Sequence, residues 1–327
     1  MRESKPTIYD PNFLPNMIYS GVPSWLNLPV IENDEDLKKI DAAVVGVPWE
    51  GGCTIGGYSS TTEGPKAVRS TSIRYTGFLP DYNLDCFDYL KVADSGDVAT
   101  QNGNYDFTFK SIRERIGKLA DAKIIPITIG GDHGIAYPII SEIAKRYPKK
   151  VGVLHFDAHL DNYSHFGDDE LSRCSPFYRV YNDPNMDPTK IAHIGIRGPR
   201  NHREEYNNAM KYGATVIRAI DVHEDGWKAS ISKALEVVSK DTEYIYITVC
   251  ADSLDAANMP QAPQDMGGLT SYELLMMLHE AGLAGAKGID FVETYPEVFT
   301  LQTAAHVVNW AFLYYLNGLA QHIKESK

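Results

Sequence analysis

Cysteine is scarce in this chain of 327 residues. The four present, Cys53, Cys86, Cys174 and Cys250, are widely spaced and form no C-x-x-C pair. That argues against a disulfide framework and a structural zinc motif, and makes a reducing cytoplasm the default compartment. No stretch approaches the ~20 apolar residues of a spanning helix, and the first residues lack the apolar run of a signal peptide. An excess of positive charge is missing too: 31 Lys and Arg stand against 43 Asp and Glu, a formal net charge of -12. Nucleic acid and anionic membranes are therefore poor partners. A small cationic substrate fits, although acidic solubility alone accounts for the charge as well. The glycine-rich stretch 49–64, W-E-G-G-C-T-I-G-G-Y-S-S-T-T-E-G, carries neither G-x-x-x-x-G-K-[ST] nor G-x-G-x-x-G, so no phosphate-binding turn is indicated.

With 43% hydrophobic and 23% charged residues the composition is that of a globular protein. Apolar runs at 41–48, 89–93, 124–129, 151–156, 191–196, 244–249 and 288–293 read as strands. Between them, amphipathic spacing predicts helices opening at Gly64-Pro65 and over 107–122, 135–147, 227–239, 271–281 and 303–323. Alternation of this kind predicts an α/β fold, a single parallel sheet in a three-layer αβα domain over residues 1–327. An ordered arm at about 1–40, rich in proline and aromatics, would pack on the surface or on a neighbouring subunit. No linker, internal repeat or low-complexity segment divides the chain.

The chemistry gathers where strands end, which is where open α/β sheets bind ligands. V-G-V-L-H-F at 151–156 is a buried strand, and Asp157, His159 and Asp161 follow it two residues apart. An extended chain would point all three the same way, making a divalent cation site. The same residues also suit an Asp157 helix cap with solvated neighbours. The strand before it ends in G-G-D-H, with His133 at the head of a helix, and the strand 244–249 ends with Cys250 and Asp252, again two apart. A single histidine at such a place suits a hydrogen-bonded loop as well as a ligand; recurrence at several strand ends gives it weight.

These blocks resemble the ureohydrolase family of arginases and agmatinases over nearly the whole chain. G-G-D-H (130–133) and F-D-A-H-L-D (156–161) are similar to its first two metal motifs. The third, roughly S-x-D-x-D-x-x-D-P in the family, reads T-V-C-A-D-S-L-D-A at 248–256. Asp252 and Asp255 survive, Cys250 replaces a bridging carboxylate, and Ala256 replaces proline. G-V-P, G-P-K-A-V-R, G-G-L-T (267–270) and D-F-V-E (290–293) also resemble family positions.

The resemblance implies two divalent cations, manganese or nickel, which lower the pKa of bound water for attack on a guanidinium carbon, releasing an amine and urea or a substituted urea. One metal would take His133, Asp157 and Asp161, the other His159, Asp157 and Asp252, with Cys250 shared. Asp161 would also orient the nucleophile, and Glu293 would neutralise a guanidino or biguanide substrate. R-C-S-P-F stands where agmatinase-like chains carry H-G-T-M-F. Arg173 therefore replaces a presumed proton-shuttle histidine and cannot shuttle protons. It becomes a candidate substrate contact, and nearby His165 a candidate shuttle. As a soft thiolate, Cys250 would favour nickel, zinc or cobalt over manganese; as a protonated buried thiol it would leave the site degraded. The resemblance also implies a homo- or hetero-oligomer, a trimer or hexamer. The competing reading is an impaired subunit that supports an active paralogue, as in metformin hydrolase-type assemblies. A deacetylase sharing the fold is disfavoured by the spacing of the third block.

Overall fold

Along strand β1 (Ala42–Gly46) every side chain is buried, so neither face meets water. Ala42 and Val44 join one apolar cluster, while Ala43 and Val45 join a second. The same split recurs on β6 (Val151–Phe156), where Leu154 and Phe156 face one way and Val151 and Val153 the other. Period-two alternation between two apolar clusters is the mark of a sheet covered on both faces. A computed structural model describes residues 4–9, 22–51, 60–260, 262–263, 265–296 and 302–327.

In chain order the strands are β1, β2 (Phe78–Leu79), β3 (Leu84–Asp85), β4 (Val92–Asp97), β5 (Ile125–Ile129), β6, β7 (Ile191–Ile196), β8 (Thr215–Arg218), β9 (Tyr244–Cys250) and β10 (Ile289–Val292). Eight of them form one sheet in the order β4-β1-β5-β10-β9-β6-β7-β8, every pair parallel; β2 and β3 make a separate antiparallel hairpin. The helices Gly64–Ser72, Trp227–Ser239, Ser271–Leu283 and Thr303–Glu325 cover one face, and Tyr105–Asp121, Ala136–Ala144, Pro176–Tyr181 and Arg203–Tyr212 the other. The α/β class and three-layer architecture expected from the alternation are therefore present.

One local expectation needs correction. The strand expected at 89–93 sits later, at Val92–Asp97, and takes in Asp94, Ser95, Gly96 and Asp97. Asp94 is tolerated there because its buried carboxylate takes Nε and Nη2 of Arg69 at 2.7 and 2.9 Å. A short helix at Ala219–Asp225, ahead of the one expected over 227–239, takes in the acidic residues Asp221, Glu224 and Asp225. Of the N-terminal arm, the described part folds back onto its own chain. Trp25 is fully buried, packs edge-on against Phe312 and donates Nε1–H to Asn309 Oδ1 at 2.7 Å. Much of the glycine-rich stretch, with Cys53, lies outside the described residues. Cys86 and Cys250 are free thiols.

Because all eight strands run the same way, their carboxyl ends share one edge. β1, β5, β10, β9 and β6 are neighbours there, and the segments leaving them bring Glu50, G-G-D-H, Glu293, Asp252 and D-A-H-L-D together.

Candidate metal centre

Gly131 lets the chain leaving β5 pass against β1: a Cβ there would lie 1.9 Å from the Trp49 carbonyl oxygen. The approach sets His133 at the start of a short helical turn, capped by Asp132 through the Gly134 N–H. From this position His133 Nδ1 lies 2.9 Å from both Asp157 Oδ2 and Asp161 Oδ2, with no directed hydrogen bond to either. Its Nε2 faces Thr248 Oγ1 at 3.1 Å; that hydroxyl donates to Asp290 Oδ1 at 2.6 Å, and Tyr246 holds the other oxygen at 2.8 Å. An imidazole fixed through one nitrogen by a hydroxyl and a carboxylate, with the other turned to carboxylate oxygens, is the usual arrangement of a histidine ligand.

The chain after β6 does not continue extended. β6 ends at Phe156, the Asp157 carboxylate accepts the His159 N–H at 2.6 Å, and Asp161 adopts a left-handed φ of 47°. The three side chains still converge, but through a turn that folds over Asp157 rather than through strand alternation. His159 Nδ1 lies 3.4 Å from Asp157 Oδ1 and 3.2 Å from Asp252 Oδ2.

Two groups of donors result: His133, Asp157 and Cys250, and Asp157, His159 and Asp252, in each of which the ligand atoms lie within 4.8 Å of one another. Asp157 belongs to both. Imidazole, carboxylate and thiol donors buried together, with a histidine nitrogen aimed at carboxylates and unbonded, fit a pair of divalent cations.

Electrostatics agree with that chemistry. Burial, then the Asp157 charge, pushes the Asp161 carboxyl up to about 7. Burial works against a charge on His133, but Asp157 and Asp161 outweigh it and hold the ring's pKa well above its usual value. Burial and then Asp157, Asp252, Glu293 and Asp161 push the Cys250 thiol well up, so without a cation it is neutral. Protons here balance negative charge that a metal would balance better.

The remaining expected residues divide. His165 is not brought to the cluster: it is exposed, bonded to Ser164 Oγ at 2.8 Å, on a loop that turns outward through Gly167. Arg173 is buried beside the cluster, and its Nη1 donates to Glu293 Oε2 at 2.8 Å and to the Tyr295 hydroxyl at 2.8 Å, while Nη2 donates to Glu50 Oε1 at 2.8 Å. Glu293, at a left-handed φ of 59°, accepts the His133 N–H on Oε1 at 2.8 Å. The two residues expected to meet a substrate thus meet each other.

Several residues escaped the sequence reading. His155 Nε2 lies 2.9 Å from Asp157 Oδ2, its Nδ1 lies 2.6 Å from His193 Nδ1, and Tyr181 OH closes the line on His193 Nε2 at 2.6 Å. Histidines in otherwise apolar buried strands were the available signal. Asp265, 3.3 Å from His159 Nε2, and Glu50 and Tyr295 around Arg173 had none.

The arginase family model matches residues 40–315. Guanidinobutyrase of Pseudomonas aeruginosa is 29% identical, covering 85% of this chain and 86% of its own. Agmatinase of Chromobacterium violaceum is 30% identical, covering 88% and 87%. Among solved structures, Trypanosoma cruzi formiminoglutamase with Mn2+ superposes with a TM-score of 0.81 at 22% identity, over 92% of this chain and 99% of that one.

Proposed function

This chain belongs to the arginase family, and from that premise we propose that it is a hydrolase of a guanidino compound working at a two-cation centre, with manganese or nickel as the metal. The observation that carries the reading is Asp157, one carboxylate common to two donor groups. His133 and Asp157, with Asp161 beside them, would hold one cation; His159, Asp157 and Asp252 the other, with Cys250 reaching the first. When bound, the pair supplies Lewis-acid charge and lowers the pKa of water so that a nucleophile exists near neutral pH. The chain's own residues do the rest. The Asp161 carboxyl lies at the edge of the cluster, where its Oδ atoms can take and return a proton. Glu293 offers a buried carboxylate to the positive charge of the substrate, and Thr248 and Asp290 keep His133 turned. The net charge of -12 suits a cationic substrate, and the names of the relatives, which act on guanidino acids and agmatine, support the class.

The test is release of urea from agmatine, 4-guanidinobutyrate, 3-guanidinopropionate and guanidine, and of urea or a substituted urea from biguanides, by the chain loaded with manganese or with nickel. Metal-dependent release from any of them supports the reading. No release by the natural chain or by an Arg173 variant, with metal bound, would leave the impaired-subunit reading in its place. Glu293→Gln should lower kcat/KM by roughly tenfold or more, since a charge-assisted contact is worth about 1.5–3 kcal/mol.

A further inference from the structure

A guanidinium of the chain itself lies buried beside the candidate metal centre. Arg173 reaches Glu293, Tyr295 and Glu50, each at 2.8 Å, and its Nη2 comes within 3.9 Å of Asp132. Its side chain is 6% exposed, and Glu293 and Asp132 are 4% and 1%. Three carboxylates converge on one buried cation. Glu293 also accepts the backbone N–H of His133, so the acidic seat and the donor cluster share a wall. Planar donors satisfied separately by a glutamate pair and a phenol hydroxyl are what a guanidinium requires and an ammonium does not.

We propose that Arg173 is a resident occupant of a guanidinium-specific seat beside the metal centre, and that a guanidino ligand must displace it to bind. This rests on the guanidino reading above and deepens it by naming what controls access. Only the fraction of molecules with Arg173 out of the seat is competent, and the apparent dissociation constant rises by the inverse of that fraction. Arg173 therefore acts as a built-in competitor that sets a high threshold for the free ligand. The flexible four-bond side chain can swing out while its backbone stays put, leaving Glu50, Glu293 and Tyr295 in place for the incoming group.

The experiment is a thermal-shift and calorimetric titration of the natural chain and of Arg173→Ala with methylguanidine, and with methylammonium as the control for charge alone. Arg173→Ala should bind methylguanidine saturably, at least tenfold more tightly than the natural chain, with methylammonium far weaker on both. Because the substitution leaves three carboxylates facing one another, Arg173→Ala/Glu50→Gln is made beside it, and Arg173→Lys tests whether a cation without the planar fork leaves the seat easier to enter. Equal affinity for methylguanidine in the natural chain and the variants, or no preference for methylguanidine over methylammonium in them, overturns the proposal. The outcomes separate from those of the functional reading. Tight methylguanidine binding by an Arg173 variant that hydrolyses nothing keeps the seat and removes the hydrolase, whereas hydrolysis with affinity indifferent to Arg173 does the reverse.

Discussion

Cys250 is the residue at which the candidate centre departs most from a carboxylate-bridged one. Its thiol lies within ligand distance of His133 and Asp157 yet is neutral in the metal-free chain, so binding a cation there must also expel a proton. A single soft donor in place of two hard oxygens favours nickel, cobalt or zinc over manganese. Cys250→Asp should therefore raise manganese occupancy relative to nickel, measured as metal per chain after dialysis against each. Unchanged ratios would show that the position does not ligate. A second residue-scale expectation concerns Asp290, which touches no ligand atom directly but aims His133 through Thr248. Asp290→Asn should weaken metal binding by about 10–100-fold, the usual cost of losing such a support; equal affinity in a competition with a chelator would contradict it. Asp161 and Glu293, both non-glycine residues at positive φ, carry backbone strain of order 1–3 kcal/mol each. Their surroundings hold them there: the Glu293 N–H bonds the Gly131 carbonyl at 2.9 Å, and the Phe177 N–H bonds the Asp161 carbonyl at 2.9 Å.

At the scale of elements, the helices Ser271–Leu283 and Thr303–Glu325 pack almost backbone to backbone on one face of the sheet. A Cβ on Gly318 would meet the His279 carbonyl oxygen at 2.0 Å, and one on Gly282 the Tyr315 carbonyl oxygen at 2.3 Å. Gly318→Ala must push the pair apart and should cost about 1–3 kcal/mol, read as a lower urea midpoint at unchanged slope. The same pair buries His279, which stacks on Tyr82 with ring centroids 3.6 Å apart. Burial lowers its pKa from 6.5 to about 4. The unfolded chain therefore binds the extra proton first as the pH drops, and stability falls between about pH 6.5 and pH 4 while staying flat, for this group, above it. His279→Phe should reduce the loss of urea stability between pH 7 and pH 5; an identical loss in both proteins would show that His279 is not the group responsible. Strands were the most legible elements in the sequence because doubly covered strands are nearly pure apolar runs. β4 was displaced in that reading because its Asp94 and Asp97 are stabilised by Arg69, a partner remote in sequence that no periodicity reveals.

For the whole molecule, the described part of the N-terminal arm is core rather than ornament. Trp25, Leu26 and Leu28 are buried with the long closing helix, and Trp25→Ala should cost about 3–5 kcal/mol in urea unfolding. A cost near zero would mean the arm is dispensable to the fold. The ligand motifs of the site were legible because each sits just past a strand end and carries donors at fixed short spacing. Their mutual arrangement was not, since it depends on the sheet order β5-β10-β9-β6, which places the last strand in the chain between two earlier ones. Nor could spacing show that Arg173 turns inward to Glu293 while His165 turns out to solvent: both lie on one polar loop, and the difference is made by Glu50 and Tyr295, contributed by the segments that leave β1 and β10 on either side of β5. A divalent-metal centre built on a shared carboxylate is tested most directly by elemental analysis of the natural chain and of Asp157→Ala, each expressed in manganese- and in nickel-supplemented medium. Because Asp157 serves both donor groups, the natural chain should retain one to two equivalents of divalent metal and the folded variant close to none, whereas a metal-free natural chain, or equal metal in both, would contradict it.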